Sequence, residues 1–272
     1  MTAAGMSTLM IVVTGLASVL FVGLDSRDRG FREGLWRDRV RARRNAAYLV
    51  SNLVTMAALA SLTQTLTPHV PVLASWQGPF GLELVACFLA AELINWVAHW
   101  AKHRVAYLWR FHLQHHVERH YNTTLTLHTH GLEVVFTGAV MACALVLCGF
   151  SALAVNAFTL TYFVANLYKH CSARLSLGPL DWLIVSPAFH RVHHAKDEDA
   201  NFGSVLTVFD VLFGTAKWVT KDEAWALALG TRGDEPFGFV EEMLAFVRPG
   251  ALKPPVATAR PARGPRADPT RA

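Results

Sequence analysis

Thirteen histidines occur in the 272 residues, and eight of them fall into three short clusters. His112, His115 and His116 form a His-x-x-His-His pattern, and His190, His193 and His194 repeat it. His99 and His103 make a third cluster just upstream of the first. At this histidine frequency about 0.03 copies of the five-residue pattern are expected by chance, so a repeated copy is a signal for chemistry. Imidazole is the commonest transition-metal ligand, and residues three and four apart share a helical face. Each cluster can therefore aim two or three ring nitrogens at one place. Eight such ligands exceed the three or four of a zinc site and the one or two of a haem. Two metals with four or five ligands each fit the count. Imidazole suits iron, zinc and copper alike. A structural zinc centre would favour cysteine, but Cys87, Cys143, Cys148 and Cys171 lie in or beside apolar segments away from the clusters. They form no Cys-x-x-Cys and read as reduced packing residues. Two redox-active irons beside a hydrophobic interior point to oxygen chemistry on a lipid C–H bond.

The elements that must position these residues read as membrane helices. The chain is 53% hydrophobic and 17% charged, with a mean hydropathy of +0.30, where a soluble domain carries about 25% charged residues. A span needs about 20 mostly apolar residues. Five segments qualify: 7–24, 46–67, 80–101, 132–150 and 152–169, the last two forming a hairpin around Gly149 and Ser151. The first lacks a preceding basic region and is followed by arginines, so it reads as a retained span and not a cleaved signal. Arg27, Arg29, Arg32, Arg37, Arg39, Arg41, Arg43 and Arg44 lie between the first two spans. The positive-inside rule makes that loop cytoplasmic. Counting spans from there puts the N-terminus outside and all three histidine clusters on the cytoplasmic side.

The expectation is an all-α, integral, multi-pass membrane protein of four to five spans. A cytosolic helical cap would hold a dinuclear metal site. Residues 1–79 form the N-terminal spans and Arg-rich loop, 80–220 the catalytic domain, and 221–248 a helical extension. Residues 249–272, rich in proline and arginine, read as a disordered tail.

Other polar residues are weighed against these. Glu92 and Asn95 share a stripe with His99. They can orient ligating imidazoles or bond one helix to another. Residues 107–121 read as an amphipathic interfacial helix bearing Tyr107, Trp109 and Phe111. His120, a turn beyond His116, reads as solvated or supporting. His128 and His130 cannot share a helical face, so only one can point at the site. Spacing alone makes His170, after the fifth span, an interfacial residue. Pro187 can start a helix that puts His190, His193 and His194 on one face. Asp197, Glu198 and Asp199 read as a solvated acidic turn. His69 lies in the outer loop and is excluded.

The residues together resemble the fatty acid hydroxylase / sterol desaturase superfamily of membrane di-iron oxygenases, over about residues 80–216. His99-x3-His103, His112 to His116 and His190 to His194 resemble its three histidine boxes. His130-Gly131-Leu132-Glu133 is similar to a family element in which proline usually stands where Gly131 is. Asn166 to His170 resembles the element after the hairpin. Asn201-Phe202-Gly203 and Phe209 to Thr215 resemble the C-terminal signature. The resemblance implies two iron ions as cofactors and O2 as co-substrate. It implies that His130 and His170 complete the ligand set, and a lipid as the substrate. Asn166 and Asp181 join Glu92 and Asn95 as candidates to orient ligands.

The chain carries no Gly-rich dinucleotide fingerprint and no second domain for haem or flavin. Electrons are therefore expected from an external donor of ferredoxin or cytochrome type. No nucleic-acid partner is expected. The rival readings are a membrane di-zinc hydrolase and a non-catalytic metal-binding or transport protein. Transport predicts ligands at the bilayer midplane, whereas these lie at span ends.

Overall fold

The structure, a computed structural model, describes residues 3–36, 38–66, 69, 72, 75–196, 198–231, 238–244 and 247. Asp197 and the expected tail 249–272 lie outside the described residues. The described secondary structure is helical apart from isolated bridges that join Ile184 to Leu206 and Ala195 to Leu229.

The long apolar runs become long helices. They are α1 (Ala3–Asp25), α3 (Arg39–Leu66), α4 (Phe80–Arg104), α6 (Gly131–Leu147) and α7 (Ala152–Lys169). The Arg-rich loop contains a further short helix, α2 (Arg29–Trp36). The expected hairpin forms because α6 ends at a turn where Gly149 takes φ +70°, a conformation that glycine adopts without steric cost. Ser151 then caps α7 by accepting the Ala154 N–H at 3.3 Å. α4 packs against both α6 and α7, while α1 lies on α7 and α3 on α6. Cys87, Ala91, Leu145, Ala154 and Phe158 fill the space between α4, α6 and α7.

The outer faces of this bundle are apolar. Leu16 and Val19 on α1, Val50 and Val54 on α3, and Val85 and Val97 on α4 are all exposed. Among the described residues two helices, Thr8–Asp25 and Phe80–Arg104, are long and apolar enough to cross a membrane. α6 is apolar but only 17 residues long. α3 and α7 are diluted by polar residues, among them Asn52, Ser61, Asn156 and Asn166.

A layer of short elements covers one end of the bundle. α5 (Ala106–Val117) follows α4 after a break at Val105, and it stops at Glu118, short of the expected residue 121. A 3-10 turn at Thr123–Leu127 leads to α6. Beyond α7 come a second 3-10 turn (Gly178–Trp182), α8 (Pro187–His193), α9 (Val208–Phe213), α10 (Lys221–Ala226) and α11 (Phe239–Leu244). α8 starts where Pro187 predicts, with Ser186 accepting the Phe189 N–H at 3.3 Å.

Candidate metal centre

Three helices and one helix end converge in this layer. The last two turns of α4 bring His99 and His103, α5 brings its three histidines, α8 and its end bring three more, and His170 closes α7. All nine are buried. They sort into two groups whose ligand atoms lie within 4.8 Å of one another: His99, His103, His112, His116 and His193, and then His115, His170, His190 and His194. The groups abut, with the His116 and His194 rings 4.6 Å apart.

The two repeats contribute in opposite senses. On α5 the i,i+4 pair His112 and His116 enters the first group and His115 the second. On α8 the pair His190 and His194 enters the second group and His193 the first. Each helix therefore serves both groups.

The donors fit metal ions. The Nδ1 of His99 donates to the Phe202 carbonyl at 2.8 Å, and the Nδ1 of His112 to the Glu133 carboxylate at 2.9 Å. Each ring then carries only a lone pair on Nε2, and these two Nε2 atoms face each other at 3.1 Å. Two lone pairs at that distance cannot hydrogen-bond, but a shared cation attracts both. Nitrogens held by one ion at about 2.0–2.1 Å lie about 3 Å apart. In the second group His170 donates its Nδ1–H to the Asn166 carbonyl at 2.8 Å. Its Nε2 lies 3.1 Å from His190 Nε2 and 3.3 Å from His115 Nε2. His193 donates its Nδ1–H to the Ala200 carbonyl at 2.9 Å, which leaves its buried Nε2 without a hydrogen-bond partner. Neither ring nitrogen of His103 has a hydrogen-bond partner either. Unpaired buried nitrogens are costly, and metal coordination removes the cost. Burial also keeps these imidazoles neutral, which is the form that ligates. It pushes His116, His190 and His194 well below the ordinary imidazole pKa, and His193 down to about 3.

The orienting groups differ in part from those expected. Glu92 accepts the N–H groups of Val205 and Leu206 at 2.9 and 2.8 Å. It braces the loop that supplies the Phe202 carbonyl and touches no ligating ring. Asn95 is buried on the same helix. Asn166 acts on His170 through its backbone carbonyl, while its side-chain amide donates to the Tyr162 carbonyl at 2.7 Å. Asp181 accepts from Ser176 Oγ and the Leu177 N–H, at 2.6 and 2.9 Å. It shapes the 176–181 turn and is not directed at the histidines.

His130 stands apart from both groups, contrary to the expected ligand set. Its Nδ1 accepts the Leu132 N–H at 3.0 Å and so caps α6, and its Nε2 lies 3.2 Å from the Met243 carbonyl. A ring with both nitrogens engaged by backbone has no lone pair free for a metal. His128 pairs with Glu242 at 3.1 Å and half-exposed His120 with Glu118 at 3.0 Å, so neither joins the groups. The acidic turn is not simply solvated. Asp199 pairs with Arg104 at 2.7 Å and lies 3.9 Å from His103 Nδ1.

Glu133 and Asp210, which the sequence reading placed in family-like elements without giving either a role, are orienting residues. Glu133 bonds His112 and also pairs with Lys102 at 2.6 Å. Asp210 accepts from Trp96 Nε1, the Phe202 and Gly203 N–H groups and Thr215 Oγ1, at 2.9, 2.8, 2.7 and 2.6 Å. It clamps the loop whose carbonyl holds His99. The available signal was a carboxylate inside an otherwise apolar stretch, Gly131–Leu147 and Val208–Phe213 respectively.

Comparison with known proteins gives the same segment. Residues 84–215 match the fatty acid hydroxylase family. The chain is 32% identical to ornithine lipid hydroxylase OlsE of Rhizobium tropici over 144 residues, 51% of this chain and 43% of that protein. It is 28% identical to the alkylglycerol monooxygenase of Homo sapiens over 144 residues, 52% of this chain and 31% of that protein. It is 32% identical to a very-long-chain aldehyde decarbonylase of Oryza sativa over 176 residues, 60% of this chain and 28% of that protein. The chain thus spans less than half the length of these relatives. No solved structure gives a significant match. The matched stretch supplies all nine clustered histidines, so the candidate metal centre lies within the part of the chain that is similar to the fatty acid hydroxylase family.

Proposed function

We propose that this protein is a multi-pass membrane oxygenase that holds two iron ions. It would hydroxylate or desaturate an unactivated C–H bond of a lipid, using O2 and electrons from an external ferredoxin or cytochrome. The observation that carries the reading is the partition of nine buried histidines into adjoining groups of five and four. The superfamily relatives named above, a lipid hydroxylase and a monooxygenase among them, support the reaction class.

The first metal would be held by His99, His103, His112, His116 and His193, and the second by His115, His170, His190 and His194. Iron bound there would supply the redox chemistry that turns O2 on a C–H bond. The chain's own residues do the rest. Carbonyls of Phe202, Asn166 and Ala200, with the Glu133 carboxylate, fix which ring nitrogen faces the site. Such partners set ring orientation and ligand basicity. Lys102 offsets the charge of Glu133, and burial excludes water from the rings.

The membrane arrangement belongs to this proposal. α1, α3, α4, α6 and α7 would span the bilayer, their exposed apolar faces meeting lipid. The arginines of 27–44 would hold the histidine layer on the cytoplasmic side.

Protein purified anaerobically should contain two irons per chain, and donor-driven O2 uptake should accompany a mass change in one lipid. Mass spectrometry of lipids from cells with and without the gene should show a gain of one oxygen or a loss of two hydrogens. Zinc-supported lipid turnover without O2 uptake would defeat the reading.

A further inference from the structure

A cleft of about 180 Å³ opens on the surface beside the four-histidine group. Its walls include Arg119, Tyr121, Asn122, Arg191, Trp225 and the turn at Asp28–Phe31. Arg191 lies on α8 next to His190, and its guanidinium lies over two aromatic rings, 5.1 Å from Tyr121 and 5.2 Å from Trp225. Its Nε donates to the Ala224 carbonyl at 2.9 Å. Among the described residues no acceptor bonds its two outer nitrogens, and no carboxylate forms an ion pair with it. Asp28 acts on it electrostatically without forming an ion pair. A half-buried guanidinium with no bonded counter-ion favours an anion in the space beside it, and its fork matches phosphate or carboxylate geometry. Asp28 also lines the cleft, but one of its carboxylate oxygens is occupied by the Phe31 N–H at 2.8 Å.

Position in the fold selects the kind of anion. The Asp28–Phe31 turn begins within three residues of the end of α1, which is long and apolar enough to cross a bilayer. With α1 crossing the bilayer, the cleft would sit at the depth of lipid headgroups, where Tyr and Trp side chains are at home. Tyr121 connects it to the metal centre, its ring 5.3 Å from that of His194 and 5.8 Å from that of His170.

We propose that this cleft is a subsite for an anionic lipid headgroup, phosphate or carboxylate, with Arg191 as its anchoring charge. The inference deepens the lipid oxygenase reading and rests on it only for the fate of the bound lipid. One aromatic ring separates headgroup from histidines, so the carbon that reacts would be near the polar end of the chain.

The test measures binding to the metal-loaded protein in neutral detergent without O2, by calorimetry. The probes are dioctanoyl phosphatidate and dioctanoylglycerol hemisuccinate, against uncharged dioctanoylglycerol and inorganic phosphate. At least one anionic amphiphile should bind about tenfold or more tighter than the uncharged one, and tighter than inorganic phosphate. Arg191→Gln should remove that preference while metal content stays unchanged. Gly30→Glu, which puts a carboxylate into the cleft from the first turn of α2, should do the same far from the histidines. It decides the matter should the Arg191 variant fail to fold. Equal affinity for charged and uncharged amphiphiles, or a preference surviving Gly30→Glu, overturns the proposal. Inorganic phosphate binding as tightly as the amphiphiles overturns the headgroup assignment. Anion preference in a protein that consumes no O2 would retain the cleft and remove only the oxygenase reading.

Discussion

Glu133, on the first turn of α6, accepts the Nδ1–H of His112 at 2.9 Å while Lys102 of α4 closes on the same oxygen at 2.6 Å. One carboxylate thereby ties three helices together at the metal centre. It fixes the imidazole tautomer of a ligand candidate and offsets a buried ammonium.

Glu133→Gln keeps the shape and removes the charge. Loss of such an orienting partner typically costs about 10–100-fold in metal affinity. Competition with a chelator should show that loss. Thermal stability should also fall, because Lys102 is left buried without its partner. Adding Lys102→Met should recover stability but not metal affinity.

His193 and His130 should separate cleanly. His193→Ala removes one of the five nitrogens of the first group, and metal content should drop. His130→Ala should retain the metal, and loses instead the side-chain cap of α6, worth about 1 kcal/mol. Metal analysis beside thermal unfolding of the two variants checks this. Metal loss from the His130 variant would restore it as a ligand.

The loop that holds His99 depends on Asp210. Asp210→Asn replaces an acceptor of four hydrogen bonds by a group that must donate some of its own. A destabilisation of about 2–4 kcal/mol is expected, with reduced metal occupancy. Gly203→Ala should act in the same direction. An added Cβ would stand 2.5 Å from the Leu206 carbonyl oxygen and 2.9 Å from Asp210 Oδ2. Denaturant titration of both variants measures the effect.

Acid should weaken the metal-free protein. Burial depresses the imidazole pKa values of His116, His190 and His194, and takes His193 down to about 3. The unfolded chain binds protons below about pH 6.5, and the folded chain refuses them. The stability is therefore fully present above about pH 6.5 and declines as pH falls from there toward 3. Chelator-treated protein should show a falling unfolding midpoint between pH 7 and pH 5. Metal retention should fall in the same direction, because protons compete for the same nitrogens.

Much of this protein is legible before folding is considered. The repeated His-x-x-His-His, the apolar runs and Pro187 are local signals. They point to a histidine metal centre carried on helices, and they set where α8 begins. The same spacing could not say which ring serves which group. Three and four residues apart means one helical face, yet His115 faces a different group from His112 and His116. That division depends on how α4, α5 and α8 cross, which is set by long-range packing. The signals for His130 and Glu133 lie side by side in one short element. The backbone entering α6 turns the histidine into a cap and the carboxylate into the partner of His112. Sequence alone determined the chemistry of the ligands, because ligand type and helical period are properties of single segments. Only the tertiary structure decided the partition into five and four, because each group draws its nitrogens from segments up to 94 residues apart in the chain.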